Sequence, residues 1–397
     1  MELKRFAMGK FLLVNVFMWA AHVSAFCFTT VFLMDKGLTE KEIGYIVAVG
    51  NVLAIAMQPF FTSLESRGKL SLSRLVILLG SIILLMYFSS IFINVSLLAG
   101  IVFTILVAVE QDLPGYANSL GFYFRNRGHK INYGIARGTG SIVYSATSAI
   151  LGFVVARLGT IAVPVSGACM IFFMILTVVF MPTEPVKKEE TKSGGYLEFL
   201  KSNKVYAVLI FGISLTIAMH QISNQYAIQI AERAGGDSSV MGLMVAAAAI
   251  AEVPVMYIYD LLEKKIQTRF LMAAAAVGLT LKAALICCSA TIPMLYVSYA
   301  TQCLGYALLQ PAGVSLANKF FDEKDRVTAQ ALMYAVNPIG GVIGSILGGQ
   351  ILTSSGTYPM LIAGTAVSLA GTVIMILSAL HFKDVHVSTS PQPGKKH

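Results

Sequence analysis

Charged residues are scarce in this sequence: Asp, Glu, Lys and Arg make up 12% of its 397 residues, where a soluble chain carries roughly a quarter. The water-facing coat of a globular protein is therefore missing. No GxxxxGK[ST] loop is present and no long soluble stretch could hold ATP, which argues against a nucleotide-driven machine. No H-E-x-x-H or paired-cysteine motif marks a metal site. Serines and histidines stand singly, without the setting of a nucleophile elbow. The five cysteines (Cys27, Cys169, Cys287, Cys288, Cys303) lie within or near apolar segments and read as small hydrophobes. No enzyme activity, cofactor or metal is expected.

What is abundant is apolar surface. Hydrophobic residues reach 56% and mean hydropathy is +0.74, with many runs near the ~20 residues that span hydrocarbon. The pattern predicts twelve spans, at 11–34, 42–62, 74–94, 96–123, 132–157, 161–181, 204–230, 239–262, 269–289, 292–319, 328–353 and 357–381. The basic start "MELKRF" resembles a signal peptide, but the apolar run behind it is too long and reads as an uncleaved first span.

The formal charge of +9 follows the membrane rather than a nucleic acid. With the N-terminus inside, only Lys36, Lys41, Arg157 and Arg233 fall outside, and Arg137 and Lys282 fall within spans. Every other Lys and Arg is on the cytoplasmic side, the positive-inside bias. Both termini are thus expected in the cytoplasm and the chain in the inner membrane.

The polar stretch 182–203, "PTEPVKKEETKSGGYLEFLKSN", divides six spans from six. The expected organisation is a six-helix bundle over 1–181, a linker, a second bundle over 204–381 and a tail over 382–397. A weak repeat supports paired halves: "LESRGKLSLSRLVILLG" follows the second span and "YDLLEKKIQTRFLMAAA" the eighth. Runs such as "GGVIGSILGG" supply the small residues that let helices approach closely.

Polar residues inside spans mark a solute or ion pathway. In the first half these are His22, Glu110, Gln111, Asp112, Asn118, Arg137, Ser141 and Tyr144. Arg137, Ser141 and Tyr144, at i, i+4 and i+7, share one helix face. A guanidinium fork, a hydroxyl and a ring suit a polyhydroxylated ligand. Arg137 is also only seven residues past Lys130, so it could equally snorkel to the cytoplasmic water. In the second half Glu252 and Lys282 lie deep in consecutive spans, and an ion pair between them would lower the cost of burying either. An embedded carboxylate is a natural proton carrier, because burial favours its neutral form. His220, Asn224, Gln225, Tyr226, Gln302, Gln310 and Asn337 add neutral hydrogen-bonding capacity, which elsewhere is often plain helix–helix glue.

Three stretches carry a family resemblance. "FLMDKGLTEKEIGYI", "MQPFFTSLESRGKL" and above all "YGIARGTGSIVYS" resemble the oligosaccharide–proton symporter branch of the major facilitator superfamily, over nearly the whole length. The last is similar to that branch's fifth-helix F/Y-G-R-x-R-x-x-G motif, whose second arginine binds sugar. By this resemblance Arg137 is the binding arginine. Ser141 takes the place of a binding-site cysteine, and Tyr144 that of a stacking tryptophan. Several positions depart from the branch. The first motif arginine is Ile135, and the acidic partner of the fourth helix falls at Asn118 or Ser119. Two seventh-helix aspartates fall at His220 and Ser223, and their lysine partners at Asn337 and Gln302. Lys282 stands for a ninth-helix arginine and Glu252 lies close to an eighth-helix glutamate. The tenth-helix histidine and glutamate become Gly305 and Leu308. After the second span, "TSLESRGK" replaces G-x-x-x-D-x-x-G-x-R-K, with Thr62 and Ser66 for the glycine and aspartate.

The resemblance implies an all-α membrane protein with twelve transmembrane helices in two six-helix bundles. It implies secondary active transport of a small polar organic solute (sugar, oligosaccharide or nucleoside) with protons, by a monomer in the lipid bilayer that binds no nucleic acid. Arg137, Ser141, Tyr144, Asn118, Ser119, His22, His220, Asn224, Gln225 and Asn337 are the expected solute contacts. Glu252, Lys282, Glu110 and Asp112 are the expected proton-coupling groups. An exporter of sugars or drugs, an aromatic-acid importer, an uncoupled facilitator and a membrane sensor remain alternatives.

Overall fold

A computed structural model describes residues 2–185 and 196–382; the middle of the expected linker and nearly all of the expected tail lie outside the described residues. In hydrocarbon a backbone must satisfy its own polar groups, which leaves an apolar chain the helix. The elements are α1 (Glu2–Phe26), α2 (Thr29–Asp35), α3 (Glu40–Ser66), α4 (Leu72–Phe92), α5 (Ser96–Asn126), α6 (Tyr133–Leu158), α7 (Ala162–Val179) and α8 (Tyr196–Ser202). There follow α9 (Lys204–Gln225), α10 (Ala227–Arg233), α11 (Ser238–Lys265), α12 (Thr268–Cys288), α13 (Ile292–Ala300), α14 (Tyr306–Phe320), α15 (Glu323–Ser355) and α16 (Thr357–Ala379).

Helix starts are fixed by side chains that take up orphan amides. Thr39 and Glu42 form a capping box on α3. Asn132 Oδ1 accepts from Ile135 N at 3.1 Å and sets the first turn of α6, the helix that carries Arg137. Asp237 Oδ1 accepts from the amides of Ser239 and Val240 and starts α11. Gly159, with φ +84°, ends α6 in a conformation that a Cβ would strain.

Among the described residues, eleven helices are long and apolar enough to cross a membrane. The twelfth crossing is α13–α14, interrupted by a 3-10 turn over Thr301–Leu304. The expected continuous tenth span is therefore corrected to a broken one. The first and seventh spans also break, at Cys27–Phe28 and at Tyr226. Neither break contains glycine or proline; tertiary bonds hold them. Cys27 Sγ meets Tyr144 Oη at 2.9 Å, and Tyr226 Oη donates to Ser345 O at 2.9 Å.

Within the first six spans α1 packs on α5, α6 and α7, and α4 on α5 and α7; within the last six α9 packs on α15 and α16, and α12 on α14 and α16. Among the described residues the halves are joined chiefly by two helix pairs, α6 with α11 and α3 with α15. Lipid gives helices no hydrophobic reason to associate, so close backbone approach has to serve instead. Gly152 and Gly242 provide it: a Cβ on Gly152 would lie 2.5 Å from Ser238 O and 3.0 Å from Gly242 Cα.

The halves close at the outer face, the one opposite the start of α1. Thr30 Oγ1 donates to Gln225 O at 2.5 Å, Lys41 N to Thr353 Oγ1 at 3.1 Å, and Gln350 Nε2 to Tyr45 Oη at 3.0 Å. Toward the inner face α3 stays bonded to α5, with Thr62 Oγ1 2.9 Å from Tyr116 Oη. Its close approaches to α15, at Gly44, Gly341 and Gly349, lie toward the outer end, and from Val52 to Phe60 only Ala54 is buried. The cleft between the halves opens inward.

Candidate functional site

Arg137 settles its own orientation. Nη1 donates to Ser141 Oγ at 3.2 Å, one turn further along α6, and the guanidinium lies 4.7 Å from the ring centroid of Trp19. Both contacts draw it deeper into the span, away from the inner face, so Arg137 does not snorkel. Among the described residues no carboxylate is within ion-pair distance of it. Its charge acts instead on Glu252, in the other half.

Trp19 is the residue that the sequence reading missed. It is the chain's single tryptophan, three residues before His22 on α1, and that i, i+3 spacing to an in-span histidine was the available signal. Its edge contacts His22 (5.2 Å) and Tyr144 (6.4 Å). His22 stacks on Phe26 at 4.2 Å, and its Nδ1 lies 3.5 Å from Glu110 Oε2. The structure thus brings Arg137, Ser141, Tyr144, His22 and Glu110 together around one indole. Glu110 is fully buried, and among the described residues neither of its oxygens has a hydrogen-bond partner.

Asn118, Ser119 and Asp112 stand apart from this group. Ser119 Oγ donates back to Gly115 O at 2.9 Å. Asn118 Oδ1 and Asp112 Oδ2 are buried without a hydrogen-bond partner among the described residues.

In the second half the expected Glu252–Lys282 ion pair is not direct. Gln302 stands between them: Lys282 Nζ donates to Gln302 Oε1 at 2.5 Å, and Gln302 Nε2 donates to Glu252 Oε1 at 2.5 Å. Gln302 reaches both from the 3-10 turn of the tenth span. Lys282 is also boxed by Ser223 Oγ at 3.4 Å and by the Tyr299 ring at 4.8 Å. Each buried charge therefore has polar partners, as its desolvation demands.

His220 lies flat against Tyr306, with centroids 4.6 Å apart and planes at 14°. Asn224 Nδ2 meets its Nε2 at 3.1 Å. Tyr306 Oη donates to Asn337 Oδ1 at 3.4 Å, so His220, Asn224 and Asn337 form one cluster. Tyr144 on α6 and Glu252 on α11 belong to the helix pair that joins the two halves. Gln225 belongs elsewhere. Its Oε1 accepts from Ser345 Oγ at 2.5 Å, within the outer closure and beside a cavity of about 20 Å³ that has room for one water.

Two helical halves of membrane-spanning helices, bonded to each other at one face and carrying polar and charged side chains in mid-span, define a multi-pass membrane transporter. The chain belongs to the MFS_1 like family, whose model matches residues 10–362, and its fold is the twelve-helix major facilitator fold. It is similar to a point mutant of the nucleoside transporter NupG at TM-score 0.81 and 16% identity, over 95% of this chain and 100% of that one. A point mutant of the peptide transporter POT in complex with sulfate matches at TM-score 0.73 and 13% identity, over 93% of each chain. At such identities the likeness concerns the fold alone. The uncharacterized MFS-type transporter YqjV of Bacillus subtilis (strain 168) is 28% identical over 149 residues, 38% of this chain and 35% of that protein. The matched stretch thus spans about a third of that relative.

Proposed function

We propose that this protein is a secondary active transporter that carries a small polar organic solute, a sugar, oligosaccharide or nucleoside, together with protons. The supporting observation is the Arg137 guanidinium, held by Trp19 and Ser141 in the half opposite the one that carries Glu252, His220 and Tyr306. A planar donor fork beside aromatic rings recognises hydroxyls, and the flat rings offer stacking area for a sugar or a base. Residues 1–181 and 204–381 rock as units about the α6–α11 crossing, with the inner face toward the cytoplasm and the chain working as a monomer in the cell membrane. Glu252 takes up the proton, and Lys282 steadies its charged form through Gln302.

A second reading, an aromatic-acid importer, draws on the lack of a carboxylate partner for Arg137 among the described residues. A solute carboxylate would supply that partner bidentately.

One experiment separates these readings. Trp19 is the only tryptophan, so its emission in purified protein reports solutes arriving beside Arg137. Titration with sugars, nucleosides and aromatic acids should change emission for one class. Reconstituted vesicles should then accumulate that solute when an inward proton gradient is imposed and lose it with a protonophore. Silence across the panel would remove the solute assignment; accumulation indifferent to the gradient would remove the proton.

A further inference from the structure

Gln302 occupies an unusual place for an amide. It sits in the Thr301–Leu304 turn, where a span that is continuous by hydropathy breaks between α13 and α14. The turn is pressed into α12: a Cβ on Gly278 would collide with the Leu304 carbonyl, so only glycine lets the broken segment lie there. Gln302 is 8% exposed, Glu252 5% and Lys282 2%. A buried amide between two buried charges is a specific arrangement, with one correct orientation. A lysine ammonium has only donors and an ionised carboxylate only acceptors. The carbonyl therefore faces Lys282 and the NH2 faces Glu252, as the two 2.5 Å bonds record.

We propose that Gln302 is the positioning residue through which the charge state of Glu252 sets the shape of the broken tenth span, a role that rests on the proton-coupled transport reading above. While Glu252 is ionised, its bond from Gln302 Nε2 is charge-assisted and holds the turn toward α11. When a proton adds to a Glu252 oxygen from the water on one side of the membrane, that bond becomes a neutral one of about half the strength. Lys282 still holds the carbonyl end, so the slack appears in the turn. The proton leaves the same oxygen toward the opposite side and the bond re-forms. The amide carries no proton itself; it reports charge to the backbone. The other groups that act on Glu252 are Arg137 from α6 and Lys282 from α12, while Glu252 in turn acts on Tyr144 of α6 and on Cys303 and Tyr306 of the tenth span. None of these side chains bonds Glu252 directly among the described residues, which leaves Gln302 as the mechanical link.

The test needs no solute. Full-length protein in lipid vesicles is titrated with pH while infrared difference spectroscopy follows the protonated carboxyl band of Glu252, identified by its loss in Glu252→Gln. In parallel, amide hydrogen exchange is read over residues 301–305. In the wild type, exchange there should rise roughly tenfold as the Glu252 band appears. In Glu252→Gln it should sit at the higher level at every pH. In Gln302→Leu the band should persist while exchange at 301–305 ceases to follow it. Exchange that ignores the band in the wild type would overturn the proposal, as would tracking retained in Gln302→Leu. If that variant fails to fold, the wild type against Glu252→Gln still decides. Vesicle uptake without proton dependence would sink the transport reading instead, a separable outcome.

Discussion

The guanidinium of Arg137 rests over the indole of Trp19, 4.7 Å from its centroid, and joins the fifth span to the first within one half of the protein. Trp19 in turn packs so tightly on α6 that a Cβ on Gly140 would lie 2.5 Å from its ring. The arginine is therefore aimed before any solute arrives, which lowers the ordering cost of binding.

Arg137→Ala should abolish solute binding while expression and thermal stability stay near wild type, since the stack itself contributes about 0.5–2 kcal/mol. Arg137→Lys keeps the charge but has neither the fork nor the flat stacking face, and should bind at least about tenfold more weakly. Equilibrium titration of Trp19 emission measures both. Wild-type affinity in Arg137→Lys would show that only charge is read.

Much of this arrangement was legible in the sequence. The span pattern located all twelve crossings, because hydrocarbon demands apolar helices of fixed length, but not the breaks within the first, seventh and tenth. The i, i+4 spacing put Arg137 and Ser141 on one helix face, and there the two side chains meet. What stayed hidden depends on other parts of the chain. The break at Tyr226 arises from its bond to Ser345, 119 residues away, and no local signal marks it. The seat of Gln302 between Glu252 and Lys282 needs three helices to be in place. Gln225 read as a midplane contact, yet one residue of helix phase turns it into the outer closure.

The Asp237 cap gives a pH dependence outside the spans. The Ser239 hydroxyl, then the Val240 amide, hold its carboxyl below the usual carboxylate range. A lowered folded value means that the cap's charge-dependent contribution is complete above the unfolded value and fades as pH falls through the folded one. Asp237→Ala should therefore cost about 1 kcal/mol at neutral pH and less in acid, whereas Asp237→Asn should keep a cap that ignores pH. Thermal unfolding of the three proteins over a pH series checks this.

Gln225 allows the outer closure to be weighed. It accepts from Ser345 and donates to Tyr226 Oη at 3.1 Å, and Tyr226 bonds Ser345 in turn. Removing it in Gln225→Ala strands Ser345 Oγ, a penalty of about 1–3 kcal/mol borne only by the closed state. The population should move toward outward-open. Spin labels placed at Lys41 and Gln350 should then report a longer distance. If the distance is unchanged and only solute affinity falls, Gln225 is a solute contact after all.

Glu252 is the group on which accumulation should depend. Glu252→Gln keeps the shape and an acceptor for Gln302 Nε2, but its amide cannot take up or release a proton. It should still exchange labelled solute across the membrane, since rocking needs no net proton movement, and it should fail to accumulate solute against a gradient. Uptake and exchange in the same vesicles make the comparison. Normal accumulation would pass the role to Glu110, whose Oε2 faces His22 Nδ1 at 3.5 Å, or to Asp112, whose Oδ2 is buried without a partner. The double variants Glu252→Gln with Glu110→Gln, and Glu252→Gln with Asp112→Asn, then decide between those two, because only the carboxylate that carries the proton takes accumulation with it while exchange survives.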